Sequence, residues 1–333
     1  MNPLLQALLT AHPAVTACFI AGLVLIVYSL KSFVKASIDP RRSIVVITGC
    51  DSGFGQLTVN LLSPLGYIVV ATCFTKDGMK QYKDMANVYP VQFDITKSEN
   101  IEALKKTVEK LITKGKGIKL WALVNNAGIA PIGHFDILKS STYRQVMEIN
   151  YFGVINLTKA LLPMLKQNKY SRIINVSSMA GLSAGVLFSA YSASKHALEG
   201  LTRSMRLELF PWNIYVSNVN PGFMSTPLLS TSAKFALEEF QSAPTDIQEQ
   251  YNFDAMSATD GVVAALAEDP TIVADRIIHL VQARYPVLNN YCGWGANIFR
   301  VIIMLPRDLL ELFMMPSELP IGPKASVRAR LQM

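Results

Sequence analysis

Four short apolar segments that alternate with helix-like stretches constrain the fold of this chain more than any other feature. These strand-like segments are rich in β-branched residues and lie at 44–47, 67–73, 88–93 and 120–124. Residues 98–113 carry apolar side chains at spacings of three and four, which predicts an amphipathic helix. Strands that alternate with helices predict an α/β fold built on a Rossmann-like, doubly wound parallel sheet. Ligands of such sheets bind beyond the carboxyl ends of the strands.

A glycine-rich stretch, Thr48–Gly55, directly follows the first predicted strand and precedes a helix predicted over 56–65. Glycines let the backbone turn sharply beside a pyrophosphate, and the helix N-terminus supplies N–H groups. The spacing G-x-x-x-G-x-G differs by one residue from the common dinucleotide motif. The stretch predicts a phosphate-binding unit, although plain turns also contain glycines.

The choice of nicotinamide cofactor depends on the residues beside the adenosine ribose. The second predicted strand ends at Cys73 without the acid that often holds the ribose hydroxyls, and without an arginine for a 2′-phosphate. Asp51 in the glycine stretch is expected near this ribose, and its charge disfavours an added phosphate. We therefore predict NAD rather than NADP. Lys76 argues the other way, unless it is simply solvated.

Tyr191 and Lys195 lie four residues apart, on one face of a helix predicted to continue to Leu209. A free phenol has a pKa of about 10, and a neighbouring ammonium favours the phenolate. Ser178 ends a strand-like run that starts at residue 172, and its hydroxyl could hold a substrate oxygen. On the four-residue spacing alone, an ordinary helix N-terminus with a solvated lysine is the more common explanation.

Together these motifs resemble the short-chain dehydrogenase/reductase family over roughly residues 42–230. The matching positions are the glycine stretch, Asn125-Asn126-Ala127-Gly128, Asn150, Ser178, Tyr191, Lys195, Pro221-Gly222 and Thr226. The residue sequence of the glycine stretch is similar to that of the membrane-associated branch, which holds retinol, hydroxysteroid and 3-hydroxybutyrate dehydrogenases. That branch is mainly NAD-linked.

The resemblance implies hydride transfer between an alcohol and nicotinamide, which requires the hydroxyl proton to leave. Tyr191 is then the base in oxidation and the acid in reduction. Lys195 lowers the pKa of Tyr191 and holds the nicotinamide ribose, while Ser178 orients the substrate oxygen. Asn150 binds a water of a proton relay, or alternatively bonds only backbone.

The resemblance also implies a cofactor site. Gly49, Ser52, Phe54 and Gly55 would surround the pyrophosphate, Asp94 and Ile95 would meet the adenine, and Asn125 the adenosine-side ribose. The full predicted set is Gly49, Asp51, Ser52, Gly53, Phe54, Gly55, Asp94, Ile95, Asn125, Ala127, Gly128, Tyr191, Lys195, Pro221, Gly222 and Thr226.

The predicted substrate residues are Ser178, Ser183, Val186, Phe188 and Tyr191. Residues 223–258 contain many apolar side chains and predict a lid over the pocket, or alternatively ordinary core from two short helices. An apolar pocket suits a retinoid, a steroid or another lipid alcohol. The competing hypotheses are an NADPH-dependent ketone or aldehyde reductase and a catalytically silent nucleotide-binding scaffold.

Residues 14–30 contain no charge, and a bilayer needs about 20 apolar residues to be crossed by a helix. A signal peptide, a buried helix and a transmembrane anchor are the alternatives. The basic residues lie after this run, beginning with Lys31 and Lys35, which favours an uncleaved transmembrane helix with the catalytic domain in the cytosol. We predict the endoplasmic reticulum membrane rather than a mitochondrial one.

The predicted organisation is an anchor and linker at 1–38, a single dehydrogenase domain at 42–290, and an apolar C-terminal segment with a tail at 291–333. Residues 298–315 are apolar but interrupted by charges, which predicts an interfacial helix, a dimer surface or core. The net charge of +7 is dispersed and suits an anionic membrane surface better than nucleic acid. The predicted partners are a hydrophobic alcohol or carbonyl, a lipid bilayer and a second copy of the chain. The cysteines and histidines have no metal-ligand spacing, so no metal site is predicted.

Overall fold

A seven-stranded parallel sheet forms the centre of the computed structural model, which describes residues 13–251, 265–306 and 308–309. The strand order is β3-β2-β1-β4-β5-β6-β7. The strands are β1 (Ser43–Ile47), β2 (Ile68–Cys73), β3 (Val88–Gln92), β4 (Lys119–Asn125), β5 (Arg172–Val176), β6 (Tyr215–Pro221) and β7 (Asn289–Cys292). This order confirms the predicted Rossmann-like α/β fold. The direction of winding reverses between β1 and β4, which is where such sheets bind ligands.

Helices cover both faces of the sheet. Their bounds are α1 (Pro13–Ser32), α2 (Gly53–Leu62), α3 (Lys76–Lys80), α4 (Ser98–Thr113), α5 (Ser140–Met147), α6 (Gly153–Lys166), α7 (Ser189–Leu209), α8 (Pro227–Ser242), α9 (Thr245–Gln248), α10 (Thr271–Gln282) and α11 (Trp294–Ile302). The helix predicted over 98–113 is confirmed. The helix predicted over 56–65 begins earlier, at Gly53, because the glycine turn leads directly into it; its end becomes a 3-10 turn at Ser63–Leu65.

The two faces of the sheet bury separate cores because successive side chains of a strand point to opposite sides. On β1, Val45 and Ile47 face one core, while Ile44 and Val46 face the other. Every residue of β1 is buried, as expected for a central parallel strand covered by helices on both sides. The loops at the carboxyl ends of the strands are therefore held on a rigid base.

A buried arginine joins the sheet to the end of α10. The guanidinium of Arg172 stacks on the Trp121 ring at 3.9 Å. Its Nη1 donates to the carbonyl oxygens of Leu280, Val281 and Ala283 at 2.7–2.9 Å. These carbonyls belong to the last turn of α10 and the residue after it, where helix carbonyls lack partners within the helix. Burial lowers the pKa of Arg172 to about 9.

Replacing Arg172 by methionine is expected to lower the free energy of unfolding by about 2 kcal/mol, because several buried carbonyls lose their donor. Chemical denaturation followed by circular dichroism measures this change. Arg203→Met, at an exposed position of α7, is the matched control and should leave stability nearly unchanged. Equal effects of both substitutions would contradict the role assigned to Arg172.

The chain that follows α1 is tied to the same region of the domain. Ala36 N donates to Gln282 O at 2.7 Å, and Arg284 N donates to Val34 O at 2.6 Å. Many apolar side chains of α1 are exposed, among them Ile20, Val24 and Leu30. Within the part of the chain that the structure describes, no helix has both the length and the apolar character needed to cross a membrane. Residues 1–12 lie outside the described residues.

The C-terminal helix differs from the predicted one over 298–315. Helix α11 begins at Trp294, directly after Gly293 with its positive φ of 91°, and ends at Ile302. Turns follow to residue 305, before Pro306, whose ring restricts the backbone before it. The predicted boundaries were therefore wrong at the start, and residues 310–333 lie outside the described residues. Exposed apolar side chains of this segment include Trp294, Ile298, Val301 and Met304.

Candidate active site

The glycine loop after β1 is fastened to the loop after β4. Thr48 Oγ1 accepts hydrogen bonds from the backbone N–H groups of Asn126 and Ala127, both at 2.9 Å. Asn126 Nδ2 donates to the carbonyl oxygens of Thr48 and Gly49 at 2.8 and 3.0 Å. Gly49 has a φ of 69°, and a β-carbon there would lie 2.8 Å from Ala127 Cα. The loop therefore requires glycine at this position.

The first turn of α2 contains Gly53, Phe54 and Gly55 and opens at the carboxyl end of β1. A β-carbon on Gly55 would press on the Gly49 carbonyl oxygen and lie 2.8 Å from Asn126 Nδ2. A β-carbon on Gly53 would lie 3.6 Å from the methyl group of Thr226, so the loop after β6 reaches this turn. A nicotinamide dinucleotide fits such a cradle, since the glycines allow a pyrophosphate to approach the helix N-terminus.

Asp51 supplies the acid that β2 lacks. Its Oδ2 accepts from Phe74 N at 2.7 Å, and its Oδ1 accepts from Thr75 N and Thr75 Oγ1 at 2.9 and 2.7 Å. The carboxylate thus lies at the carboxyl end of β2, where an adenosine ribose binds in this kind of sheet. The predicted proximity of Asp51 to the ribose stays a prediction, to which this position of the carboxylate gives a physical basis.

An opening near Asp51, at the carboxyl ends of β2 and β3, is lined by Phe74, Gln92, Asp94 and Asn100. Asp94 turns its carboxylate toward its own loop, where Oδ1 accepts from Thr96 N at 2.9 Å. Asp94 was predicted to meet the adenine, and binding of adenine in this opening stays a prediction.

Two predicted cofactor residues do not face this site. Ile95 is 5 % exposed and packs in the core beneath α6. Asn125 is 2 % exposed, and its Nδ2 donates to Thr158 Oγ1 and Asn175 Oδ1 at 3.3 and 2.8 Å. Because both side chains are buried away from the opening, the contacts of Ile95 with adenine and of Asn125 with the adenosine-side ribose stay predictions for these residues. In Asn125-Asn126, alternation along the chain turns the first side chain into the fold and only the second toward the loop.

Tyr191 and Lys195 lie in the first turns of α7, and Ser178 lies just after β5. Lys195 is 4 % exposed, and its Nζ donates to the carbonyl oxygen of Val176 at 2.9 Å. The same Nζ lies 5.7 Å from the centre of the Tyr191 ring. The helix therefore holds phenol and amine on one side, against the end of β5, as the four-residue spacing predicted.

Burial dominates the electrostatics of this pair. It raises the pKa of Tyr191 to about 12, while a hydrogen bond with the Ser178 hydroxyl acts to lower it. Burial lowers the pKa of Lys195 to about 8, while the charge of Glu199 acts to raise it. The expected net lowering of the Tyr191 pKa by an adjacent ammonium is not found in the free protein, because loss of hydration outweighs the lowering effect of the Ser178 hydrogen bond.

Asn150 lies in a π-helical turn, Glu148–Phe152, and is 1 % exposed. Its Nδ2 donates to Ile129 O at 2.9 Å and to Ser194 Oγ at 3.0 Å, and its Oδ1 accepts from Ile129 N at 2.9 Å. These contacts match the backbone-bonding alternative. Asn150 Oδ1 and Lys195 Nζ nevertheless both lie next to Gly128. A β-carbon on Gly128 would be 3.1 Å from the oxygen and 3.6 Å from the nitrogen.

A cavity of about 640 Å³ opens beside Ser178 and Tyr191. All five predicted substrate residues line it: Ser178, Ser183, Val186, Phe188 and Tyr191. Pro221, Gly222 and Thr226 border it from the loop after β6. Among the residues that the structure describes, no lining side chain is charged. The cavity therefore offers an apolar volume with hydroxyl groups at one end.

The segment predicted as a lid forms part of the wall of this cavity. Phe223, Met224, Leu228 and Leu229 line it. Phe235 instead packs against Leu138, Val146 and Ala190, and Tyr251 donates a hydrogen bond to Asp136 Oδ2 at 2.8 Å. One face of α8 therefore meets the cavity and the other meets the core, and the lid stays a prediction. Phe253 lies outside the described residues.

A family model described as short chain dehydrogenase matches residues 43–237, which is more than half of the chain. The chain belongs to the short-chain dehydrogenase family. It is therefore an oxidoreductase, and the predicted family is confirmed.

Curated relatives of this dehydrogenase belong to the branch that the glycine stretch indicated. It is 35% identical to estradiol 17-beta-dehydrogenase 2 of Mus musculus over 284 residues, 80% of this chain and 72% of that protein. It is 30% identical to retinol dehydrogenase 16 of Homo sapiens over 283 residues, 82% and 86% of the two chains. It is 36% identical to the mitochondrial D-beta-hydroxybutyrate dehydrogenase of Bos taurus over 268 residues, 75% and 77% of the two chains.

Solved structures agree on the fold. A short chain dehydrogenase/reductase from Burkholderia phymatum in complex with NAD aligns with a TM-score of 0.68 and 23% identity, covering 84% of this chain and 98% of that chain. A short chain dehydrogenase from Burkholderia cenocepacia in complex with NADP aligns with a TM-score of 0.64 and 23% identity, covering 82% and 97%. Family and fold together indicate a nicotinamide cofactor.

Several site residues of the dehydrogenase were missed by sequence reasoning. Thr48 and Asn126 fasten the cofactor loop, and Ile132 and Phe299 line the cavity. Thr48 and Asn126 carried a signal, since both belong to motifs that were noticed for their glycines and for Asn125. Phe299 carried none, because its approach to the cavity depends on how α11 follows β7.

Proposed function

We propose that this dehydrogenase interconverts an uncharged hydrophobic alcohol and its carbonyl, using NAD. The observation that carries the proposal is the cavity of about 640 Å³ beside Ser178 and Tyr191, whose described lining contains no charged side chain. Pockets of this size enclose most of the surface of a small lipophilic molecule. A retinoid or a steroid suits such a cavity.

The lining also argues against a short hydroxy acid as the substrate. Moving a carboxylate out of water costs much free energy unless a cation or several hydrogen bonds replace the water. The apolar wall includes Ile132, Met179, Leu187, Phe223 and Phe299, and it offers a carboxylate no such partner. We therefore favour the substrate classes named for the retinol and estradiol relatives over that of the D-beta-hydroxybutyrate relative.

The proposed chemistry assigns one task to each polar group. The bound NAD supplies a hydride acceptor. Ser178 holds the alcohol oxygen, and Tyr191 accepts its proton in oxidation and returns it in reduction. Lys195 binds the nicotinamide ribose as an ammonium and stabilises the phenolate of Tyr191. Asn150 holds a water beside Lys195 through the free lone pair of its Oδ1, which gives the proton a route away from the phenol.

Asp51 supports NAD over NADP. The carboxylate lies at the end of β2 and is held there by Phe74 and Thr75. The phosphate that distinguishes NADP would bring further negative charge to this position, and like charges at close range repel.

Asp51→Asn is expected to reduce the preference for NADH over NADPH about tenfold, because it removes the negative charge while an amide oxygen can still accept from Phe74 N. Dissociation constants of both nucleotides, measured by fluorescence titration, give the ratio. Asp77→Asn, at an exposed acid that pairs with Lys80 on the neighbouring α3, is the matched control. A ratio that moves equally in both variants would contradict a specific role for Asp51.

We further propose that the protein is bound to a membrane, with residues 1–38 as its anchor and linker. The exposed apolar side chains of α1 and the basic residues after it support this proposal. The exposed apolar side chains of α11 support an interfacial role for residues 291–333. The proposed location is the endoplasmic reticulum membrane, with the catalytic domain, residues 42–290, in the cytosol and a homodimer as the assembly.

Incubation of the purified protein with retinol, estradiol and 3-hydroxybutyrate, each with NAD and NADP in parallel, tests the proposed function. We expect NADH formation with one of the two lipophilic alcohols. Turnover of 3-hydroxybutyrate alone would overturn the substrate class. A higher rate with NADP would overturn the proposed cofactor. The absence of turnover of all three alcohols with either cofactor would favour the scaffold alternative.

A further inference from the structure

One buried acid beside the active site has no task in the proposed chemistry. Glu199 lies one turn after Lys195 on α7 and is 5 % exposed. Its Oε2 accepts from Asn218 Nδ2 at 2.5 Å, and its Oε1 accepts from Asn220 Nδ2 at 2.6 Å. Within the described residues it takes part in no ion pair. A buried carboxylate is costly unless it is well bonded or faces a positive charge.

The two amides come from one face of β6, because residues two apart on a strand point the same way. Asn220 Nδ2 also donates to the carbonyl oxygen of Ser178 at 3.1 Å. One amide group thus bridges the Glu199 carboxylate and the backbone that carries the Ser178 hydroxyl. The bridge fixes the helix of Tyr191 and Lys195 relative to Ser178.

The surroundings of Lys195 make Glu199 its natural counter-charge. The amine contacts the Val176 carbonyl and lies near the Tyr191 ring. From the neighbouring turn, Asn150 borders the amine near Gly128. None of these groups is charged near neutral pH. Among the described residues, Glu199 is the charge that acts on the protonation of Lys195.

We propose that Glu199 is a positioning residue, which holds Tyr191 and Lys195 in register with Ser178 and supplies a buried counter-charge one helical turn from the Lys195 amine. This inference rests on the proposed function, because it assigns Lys195 to the nicotinamide ribose. Glu199 itself touches neither substrate nor cofactor and acts only through Lys195 and Asn220.

The sign of the pH effect follows from the charges. With Glu199 present, burial still lowers the pKa of Lys195 to about 8, so the ammonium is lost as the pH rises through that value. Removing the Glu199 charge lowers the pKa of Lys195 further, since an opposite charge favours the ammonium. Binding that needs the ammonium then fails at a lower pH.

Fluorescence titration of the full-length protein with NADH from pH 6 to 10 tests the charge. Glu199→Gln is expected to shift the pH midpoint of the loss of NADH affinity downward by about one pH unit. A shift of this size is at the lower end of the effect that a nearby opposite charge has on a pKa. Glu239→Gln is the matched control, because Glu239 is also buried and accepts from neutral donors, at Lys139 N and Thr142 Oγ1. We expect the control to keep the wild-type midpoint.

Two further variants test the bridge. Glu199→Asp keeps the charge but shortens the arm, and Asn220→Ala keeps the charge but removes the link to Ser178. Both are expected to lower kcat about tenfold on the best alcohol of the substrate panel, because the reacting groups are modestly misplaced. The pH midpoint of NADH binding should stay unchanged. They keep the proposal testable if Glu199→Gln does not fold.

The outcomes separate this inference from the proposed function. A wild-type midpoint in folded Glu199→Gln, or a wild-type kcat in Asn220→Ala, would overturn the role of Glu199 alone. A fall in melting temperature without either change would mean that the acid serves only stability, and would overturn it as well. Wild-type protein that binds no NADH at any pH would overturn the proposed function, and this inference with it.

Discussion

Tyr191→Phe is expected to lower kcat for alcohol oxidation about 100- to 10,000-fold, because it removes the group that takes the hydroxyl proton. The ring remains, so the packing of α7 and the dissociation constant of NADH should change little. In the wild type, burial raises the pKa of Tyr191 to about 12, so the phenolate fraction grows as the pH rises toward that value. The kcat of oxidation at saturating NAD should therefore increase with rising pH, and Tyr191→Phe should lose this dependence.

Steady-state kinetics from pH 6 to 10, with NADH titration alongside, measures both effects. Tyr215→Phe removes the same atom at the amino end of β6, far from the carboxyl ends of the strands, and should keep the wild-type rate and pH dependence. Turnover that survives in Tyr191→Phe would refute the proton-transfer role. A loss of NADH binding would instead point to a structural role for the hydroxyl.

Gly55→Ala is expected to weaken NADH binding about a hundredfold, because one methyl group must displace the cofactor loop. The added carbon would press on the Gly49 carbonyl oxygen and on Asn126 Nδ2, which bonds that carbonyl and the one before it. Relief of this clash breaks the tie between the loops after β1 and β4. The expected signature is the opposite of Tyr191→Phe, since binding is lost while the catalytic groups remain.

Gly200→Ala is the matched control for this substitution. Gly200 lies inside α7, and a β-carbon there has no neighbour within 4 Å. Alanine should fit without strain and raise the stability of α7 slightly, since glycine disfavours helix interiors. Unchanged NADH affinity in Gly55→Ala would mean that the loop yields more easily than its contacts indicate.

The sequence was most informative where backbone and chemistry share one requirement. Strands β1 and β4 were predicted to within a residue or so, because a central parallel strand needs an unbroken apolar run. The position of Asp51 at the end of β2 agrees with its place in the glycine loop, because such a loop has few directions in which to point a side chain. Its approach to the ribose stays a prediction. Tyr191 and Lys195 were predicted to share a helix face, which their spacing alone requires.

The sequence could not predict properties that depend on which side chains meet in the folded interior. It gave no sign that Asn125 bonds Asn175 across two strands, and therefore none that Asn125 turns away from the cofactor. The pKa of Tyr191 depends on how much water the fold removes, and no spacing of residues reveals that amount. The sequence carried no signal at Glu199, because its partners Asn218 and Asn220 lie about twenty residues further along the chain.

The hydrogen bonds between the segment after α1 and the end of α10 matter for making a shortened protein. Val34 and Ala36 satisfy backbone groups of Arg284 and Gln282, next to the carbonyls that Arg172 binds. A variant that starts after residue 38 would leave these groups without partners at the foot of β5, the strand that leads to Ser178. Cutting after Ser32 would remove the apolar helix and spare this junction, which makes it the better boundary for expression.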